Sequence, residues 1–275
     1  MKEYLKNIVN QLKNYSITLD KTTILIDKPW ALIDEEFELQ KLIFKKDKEL
    51  ILSKNGQVQI GKWDYFPEAK SLLIDRNTDK ILCNEAFIDK GVMVLKLDGT
   101  ENRFFILANE NIIPDLDAKK YLRQLRNQKL CITETILADG TTIEIQREED
   151  QYERAKVGNV VSIDTETIDD GKYQLNEREK YIEIQKGKIH KILIDTRYTN
   201  PDNHEIIIQQ QDIWEIKNGD YVFMLGKPVE TGCINFSNSK NLIVRNGKVV
   251  RLERKNPLTR SLSKLWKKIF NSYNE

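Results

Sequence analysis

A chain of 275 residues with 40% apolar and 32% charged side chains carries enough apolar surface for one or two packed domains, which excludes a disordered or fibrous polypeptide. Its 44 Lys and Arg balance 43 Asp and Glu, and a formal charge of +1 excludes the global field that draws a protein onto nucleic acid. Cys83, Cys131 and Cys233 lie far apart with no paired spacing, so neither a disulfide framework nor a zinc knuckle is indicated and a reducing compartment is expected.

The first residues place Leu5, Ile8, Val9 and Leu12 at helical spacing with Lys and Asn opposite, which predicts an amphipathic helix over 2–15 rather than a signal peptide. No run approaches the roughly twenty apolar residues that span a bilayer, and a cytoplasmic chain is expected. Richness in Lys, Ile and Asn points to an AT-rich bacterial genome.

From residue 22 to 108 the pattern changes to short apolar runs at 23–26, 42–44, 50–52, 58–63, 72–74, 92–97 and 104–107. Turn signals such as Asn55-Gly56, Pro67 and Asp98-Gly99 separate them. They predict a β-meander, which with the leading helix makes a first domain over 1–114 that closes into a small barrel or sandwich. Pro114-Asp-Leu-Asp-Ala-Lys-Lys-Tyr121 has a helix-start composition, and a linking helix is expected over 115–128.

A second domain is expected over 129–255, again mainly β, and it carries an internal duplication. Lys156-Val-Gly158-Asn-Val-Val-Ser-Ile163 matches Lys217-Asn-Gly219-Asp-Tyr-Val-Phe-Met224, and thirteen residues beyond each first glycine stand Gly171 and Gly232. Gly187 and Gly247 follow after a further sixteen and fifteen residues. The register implies two β units of about sixty residues each. Three hairpins share one turn grammar, an apolar run, then Asn-Gly or Lys-Gly at Gly56, Gly187 and Gly247, then an apolar return. Glycine there supplies the positive φ that a tight primed turn needs.

Residues 256–275 end the chain with Leu258, Leu262, Leu265, Trp266, Ile269 and Phe270 on one helical face and Arg260, Lys264, Lys267 and Lys268 on the other. From Arg245 onward there are nine Lys or Arg against two Glu. A basic amphipathic helix of this kind covers a domain end, docks into a partner's groove or lies on an anionic membrane surface.

Val161-Ser-Ile-Asp164-Thr-Glu166-Thr resembles the first motif of the DEDD exonucleases, in which two carboxylates bind divalent metals for phosphodiester hydrolysis. That resemblance implies further aspartates and a helical His or Tyr element. Asp195, Asp202, Asp212, Asp220, Tyr198 and His204 are present without such an element, and the duplication aligns Asp164-Thr-Glu166 with Leu225-Gly-Lys227. Gly61-Lys-Trp63 resembles the Gly-x-Trp element of lipocalin-like barrels, which implies a ligand calyx near Trp63. Gly171-Lys-Tyr173-Gln-Leu with the later Gly187-Lys-Ile189 is similar to small β modules of phage and prohead structural proteins, which implies a structural or binding role. His190 and His204 are the only histidines; no nucleophile elbow or phosphate loop accompanies them.

The fold expected is therefore mainly β, two small barrel or sandwich domains with short N-terminal, linking and C-terminal helices. The function expected is a non-catalytic intracellular adaptor or structural protein acting through protein–protein contacts, with no cofactor. Lys264, Trp266, Lys267, Lys268 and Phe270 are its candidate contact residues, for a protein partner or for the inner membrane surface. The alternatives are a metal-dependent nuclease at Asp164 and Glu166 and a small-ligand binder near Trp63.

Overall fold

The computed structural model describes residues 2–16, 21–33, 40–100, 103–148, 155–177 and 179–255. The chain is mainly β, as its composition of short apolar runs and turns predicts, and it divides into two compact units, Met1–Thr133 and Glu134–Glu275.

The first unit is a closed antiparallel barrel. Its strands are β1 (Trp30–Ile33), β2 (Gln40–Phe44), β3 (Glu49–Lys54), β4 (Gln57–Phe66), β5 (Ser71–Asp75), β6 (Lys80–Ile88), β7 (Val92–Leu97) and β8 (Phe104–Asn109). They pair in sequence order, and β1 closes on β8 with Trp30 opposite Asn109. Closure leaves no strand edge unpaired in the barrel wall. Side chains alternate along each strand. On β7, Met93 and Leu95 join Trp30, Phe44, Leu50, Trp63 and Leu72 inside the barrel, while Val92 and Val94 face outward.

Those outward residues are covered by two helices, α1 (Lys2–Leu12) and α3 (Ala118–Lys129). Ile8, Val9 and Leu12 of α1 and Ala118 and Leu122 of α3 pack with Phe87, Val92, Val94 and Ala108. The helix spacing in the sequence thus marks a face that buries against the barrel. Asp117 caps α3, its side chain accepting from Lys120 N at 2.9 Å. Arg126, 1% exposed, donates from Nε to Gln11 Oε1 at 2.6 Å and ties the two helices together. Tyr121 lies over Gly91 and donates to Asp89 Oδ2 at 2.6 Å, and a Cβ on Gly91 would sit 2.5 Å from that ring.

Residues 23–26 do not form the predicted strand. Lys21–Leu25 is a short helix, α2, with only Ile26 bridging to Phe44. Its β-branched Thr22, Thr23 and Ile24 favour a strand locally, but Leu25 is fully buried in the barrel core and its carbonyl accepts from Trp30 Nε1 at 3.2 Å. Beside it, Lys21 Nζ meets Glu85 Oε1 and Oε2 at 2.7 and 2.5 Å, and Tyr65 OH and Ser16 Oγ donate to the same carboxylate at 3.0 and 3.1 Å. This ion pair is almost fully enclosed, with side chains 10% and 7% exposed.

The second unit is a sheet built twice. Its strands are β9 (Ile132–Ile136), β10 (Thr142–Gln146), β11 (Val160–Ile163), β12 (Glu166–Thr167), β13 (Gly171–Gln174), β14 (Lys180–Gln185), β15 (Lys188–Thr199), β16 (Glu205–Gln210), β17 (Tyr221–Met224), β18 (Lys227–Pro228), β19 (Gly232–Asn235), β20 (Lys240–Arg245) and β21 (Lys248–Arg254). One run of neighbours reads β13-β14-β15-β11-β10-β9, and the other reads β19-β20-β21-β17-β16-β15. The second order is the first moved on by six strands, and the twelve-residue β15 belongs to both.

The correspondence extends to single bonds. Gly158 N donates to Ile189 O and Gly219 N to Val249 O, both at 2.8 Å. The turn before each central strand is held by an equivalent side chain, Asn159 Oδ1 accepting from Lys156 N at 2.7 Å and Asp220 Oδ2 from Lys217 N at 2.6 Å. A register shift follows Glu183 in one copy and Ile243 in the other. The hairpin turns at Lys186-Gly187 and Asn246-Gly247, like Asn55-Gly56 in the barrel, have positive φ at both residues. That is the primed turn which the glycines predict. Each copy has its own core, Val161, Ile182, Ile184 and Ile189 in the first and Val222, Leu242, Val244 and Val249 in the second. Among the described residues no helix is long and apolar enough to cross a membrane.

Candidate functional site

Asp164 and Glu166 fall where the duplication puts them, Asp164 in the tight turn between β11 and β12 and Glu166 at the first position of β12. Asp164 and Thr165 have φ of 47° and 75°, and their counterparts Leu225 and Gly226 have 51° and 74°. Both acidic side chains are exposed. The buried carboxylate nearby, Glu144, accepts from Ser162 Oγ at 3.2 Å and Thr165 N at 3.4 Å, so it braces the turn. Among the described residues no three His, Cys, Asp or Glu side chains are grouped to hold a metal ion. His190 and His204 are exposed, on β15 and in the turn that follows it.

Trp63 is a core residue of the barrel. It is 2% exposed, stacks edge-on to Phe44 with centroids 5.3 Å apart, and donates from Nε1 to Lys45 O at 2.9 Å. Gly61 before it is required by close approach, because a Cβ there would lie 2.2 Å from the carbonyl oxygen of Asp75. A small opening elsewhere in the barrel, lined by Leu32, Gln40, Leu52, Arg76, Ile81 and Phe105, has a volume of about 30 Å³. That holds one or two waters, whereas ligand pockets run from about 300 Å³. Lys264, Trp266, Lys267, Lys268 and Phe270 lie outside the described residues.

The most distinctive cluster of functional groups forms where the two repeats meet. Alternation sends Ile182 and Ile184 into the first core and leaves Tyr181 and Glu183 on the other face of β14. In the same way Ile206, Ile208 and Val222 enter the second core, and Gln209, Tyr221 and Phe223 face away from it. Cross-strand registers line these residues up, Lys172 opposite Glu183 opposite Lys191, and Asp195 opposite Gln209 opposite Tyr221.

On a flat sheet β13 and β16, three steps apart, would be separated by about 14 Å. The long side chains close this gap, and Lys172 Nζ on β13 donates to Gln209 Oε1 on β16 at 2.8 Å. The same ammonium lies 5.4, 4.9 and 5.5 Å from the ring centroids of Tyr181, Tyr221 and Phe223. Tyr221 OH donates to Glu183 Oε2 at 3.1 Å, Tyr181 OH to Asp195 Oδ2 at 3.3 Å, and Lys248 sits 4.9 Å above the Tyr221 ring. Asp195 Oδ1 is buried and has no hydrogen-bond partner among the described residues.

Burial of its amine holds Lys172 below the ordinary lysine range, opposed by the nearby charges of Asp195 and Glu183. Burial, then the Glu183 charge, raises Tyr221; burial, then the Asp195 charge, raises Tyr181. Both phenols therefore stay protonated donors through the physiological range. Three aromatic faces around one ammonium, with the Asp195 and Glu183 charges near enough to act on it, form a site for a cation. The positions equivalent to Lys172, Tyr181, Glu183, Tyr221 and Phe223 in the other repeat are Cys233, Asn241, Ile243, Val160 and Ser162. Core positions keep their apolar type across the repeats and these do not, which is the one signal in the sequence that singles them out.

A second exposed element is the loop after β16. Trp214 is 90% exposed with Ile213 beside it. The loop is held by Trp214 N donating to Asp212 Oδ1 at 3.0 Å and by Lys217 pairing with Asp212 at 3.1 Å. Compared with known proteins, the chain matches no family model, no curated protein and no solved structure.

Proposed function

We propose that the chain is a non-catalytic intracellular adaptor, a duplicated β scaffold that works by holding a partner protein. The observation that carries this reading is the repeat junction, where three partly exposed rings and a set of charged groups are assembled from both copies on the face turned away from the cores. Aromatic residues on a rigid sheet give large contact area at low entropic cost, the property of interface anchors. Trp214 adds a braced, solvent-facing anchor in the same unit. The basic amphipathic segment with Lys264, Trp266, Lys267, Lys268 and Phe270 supplies a further contact, for the partner or for an anionic membrane beside it.

The test is affinity capture from the native cell extract with three baits: the full chain, a chain truncated after Pro257, and Trp214→Ser, each checked by circular dichroism. A specific protein recovered by the full chain and depleted with either variant supports the adaptor reading. Recovery of nothing by any bait overturns it, and loss of only the membrane fraction on truncation makes the tail a lipid contact.

A further inference from the structure

We infer that the repeat junction is a recognition pocket for an alkylammonium group, the side chain of a lysine on the partner protein, and that Lys172 fills it when the partner is absent. This rests on the adaptor reading and adds to it the chemistry that the face selects.

The pocket's geometry is that of a compact cation. Three rings from β14 and β17 surround one ammonium at 4.9 to 5.5 Å, close enough for each to attract it through its quadrupole. A planar guanidinium stacks on a single face, so convergence of three rings favours a lysine over an arginine. The ring set is assembled only at the junction, because β14 belongs to the first repeat and β17 to the second.

The resident lysine is weakly anchored for an ammonium set among three rings. Lys172 is exposed as a residue and sits on a four-residue strand whose ladder partner is β14, with a further backbone bond only at its far end, where Gln174 O accepts from Ala138 N at 2.9 Å. Its hydrogen-bond acceptor is the neutral amide of Gln209. Meanwhile the pocket contains an acceptor that Lys172 does not satisfy, Asp195 Oδ1, buried and without a partner among the described residues. A buried carboxylate oxygen left unpaired is costly. An ammonium arriving from outside that displaces Lys172 and reaches Asp195 would remove that cost.

The experiment uses the full chain and Nα-acetyl-lysine methylamide as the probe, with its Nε-acetylated form as the uncharged control, titrated calorimetrically. A resident that fills the pocket nine-tenths of the time weakens apparent affinity about ten-fold. Lys172→Ala is therefore expected to bind the probe about ten-fold tighter than the native chain, to ignore the control, and to lose the gain when Tyr221→Ala is added. A folded Lys172→Ala chain that binds the probe no more tightly than the native chain, or binds probe and control alike, overturns the proposal.

Should Lys172→Ala not fold, the native chain gives the answer by hydrogen exchange at saturating probe. Faster exchange at Gly171–Gln174 is the expected displacement, and unchanged exchange there overturns it. Captured partner that is retained undiminished by Tyr221→Ala would leave the adaptor reading standing and overturn the lysine pocket alone.

Discussion

Tyr221, in the second repeat, donates its hydroxyl proton to Glu183, in the first, across a distance of 3.1 Å. Two side chains from equivalent scaffolds, in positions where the other copy has Val160 and Ile243, thus join the repeats on the face away from their cores. Because each is half-buried, the bond contributes modestly. A double-mutant cycle with Tyr221→Phe and Glu183→Ala in urea denaturation is expected to return a coupling of about 1 kcal/mol. A coupling of zero would mean that the pair is fully replaced by water.

The enclosed Lys21–Glu85 pair makes the opposite kind of demand. Removing one partner leaves a charge in a nearly dry site, so Glu85→Ala should lower barrel stability by about 3–5 kcal/mol. Replacing both, as Lys21→Met with Glu85→Leu, should recover most of that loss. Equal losses for single and double variants in denaturant titrations would contradict it.

Cys83 is fully buried in the barrel, and burial pushes its thiol up to about 11. At pH 8 about one part in a thousand is thiolate, and that fraction climbs about ten-fold per pH unit up to pH 10. A thiol reagent added to the native chain should label exposed Cys233 first and Cys83 only on unfolding. The folded-state value lies above that of a free thiol, so the neutral form is the one folding favours. This contribution is present at neutral and lower pH and is smaller once pH exceeds the free thiol's range. Rapid labelling of Cys83 at pH 8 without denaturant would contradict the closed barrel.

Asp164→Asn with Glu166→Gln tests the nuclease alternative. Both residues are exposed, Asp164 in a turn whose backbone is also adopted by Leu225 and Gly226 and Glu166 at the strand position just after it. The double variant should change stability by no more than about 0.5 kcal/mol, and calorimetric titration of the native chain with manganese and a nucleotide should give a flat trace. Saturable heat that disappears in the variant would restore a metal site there.

How far the sequence reveals this molecule depends on how locally each element is specified. The primed turns at Gly56, Gly187 and Gly247 are readable because two adjacent residues carry the whole requirement. The duplication is readable because three glycines keep their spacing. Strand β6 is not, and the reason is visible in its register: Ile81 and Cys83 line up as an alternating face, then the shift between Glu85 and Phe87 moves the phase, so Phe87 faces the helices and Ile88 the interior. Helix α2 hides behind β-branched residues whose preference the barrel core overrides. Closure of β1 on β8 joins residues more than seventy apart, for which no local pattern exists.

The junction is the least legible part. Lys172, Tyr181 and Tyr221 are scattered over fifty residues, and nothing in their spacing announces that a shared, twisting β15 brings them within 6 Å. They occupy the phase of each strand that faces away from the core, where any polar or aromatic residue is ordinarily solvated surface. Only comparison of the two repeats, position by position, shows that this face is furnished once.

The most direct measurement is affinity capture from the native extract, comparing the intact chain with the double variant Tyr221→Ala, Phe223→Ala after circular dichroism has shown both to be folded. The adaptor account predicts that a specific protein recovered by the intact chain is lost by the variant. Equal recovery of that protein by both chains would contradict the assignment of the repeat junction as the contact face.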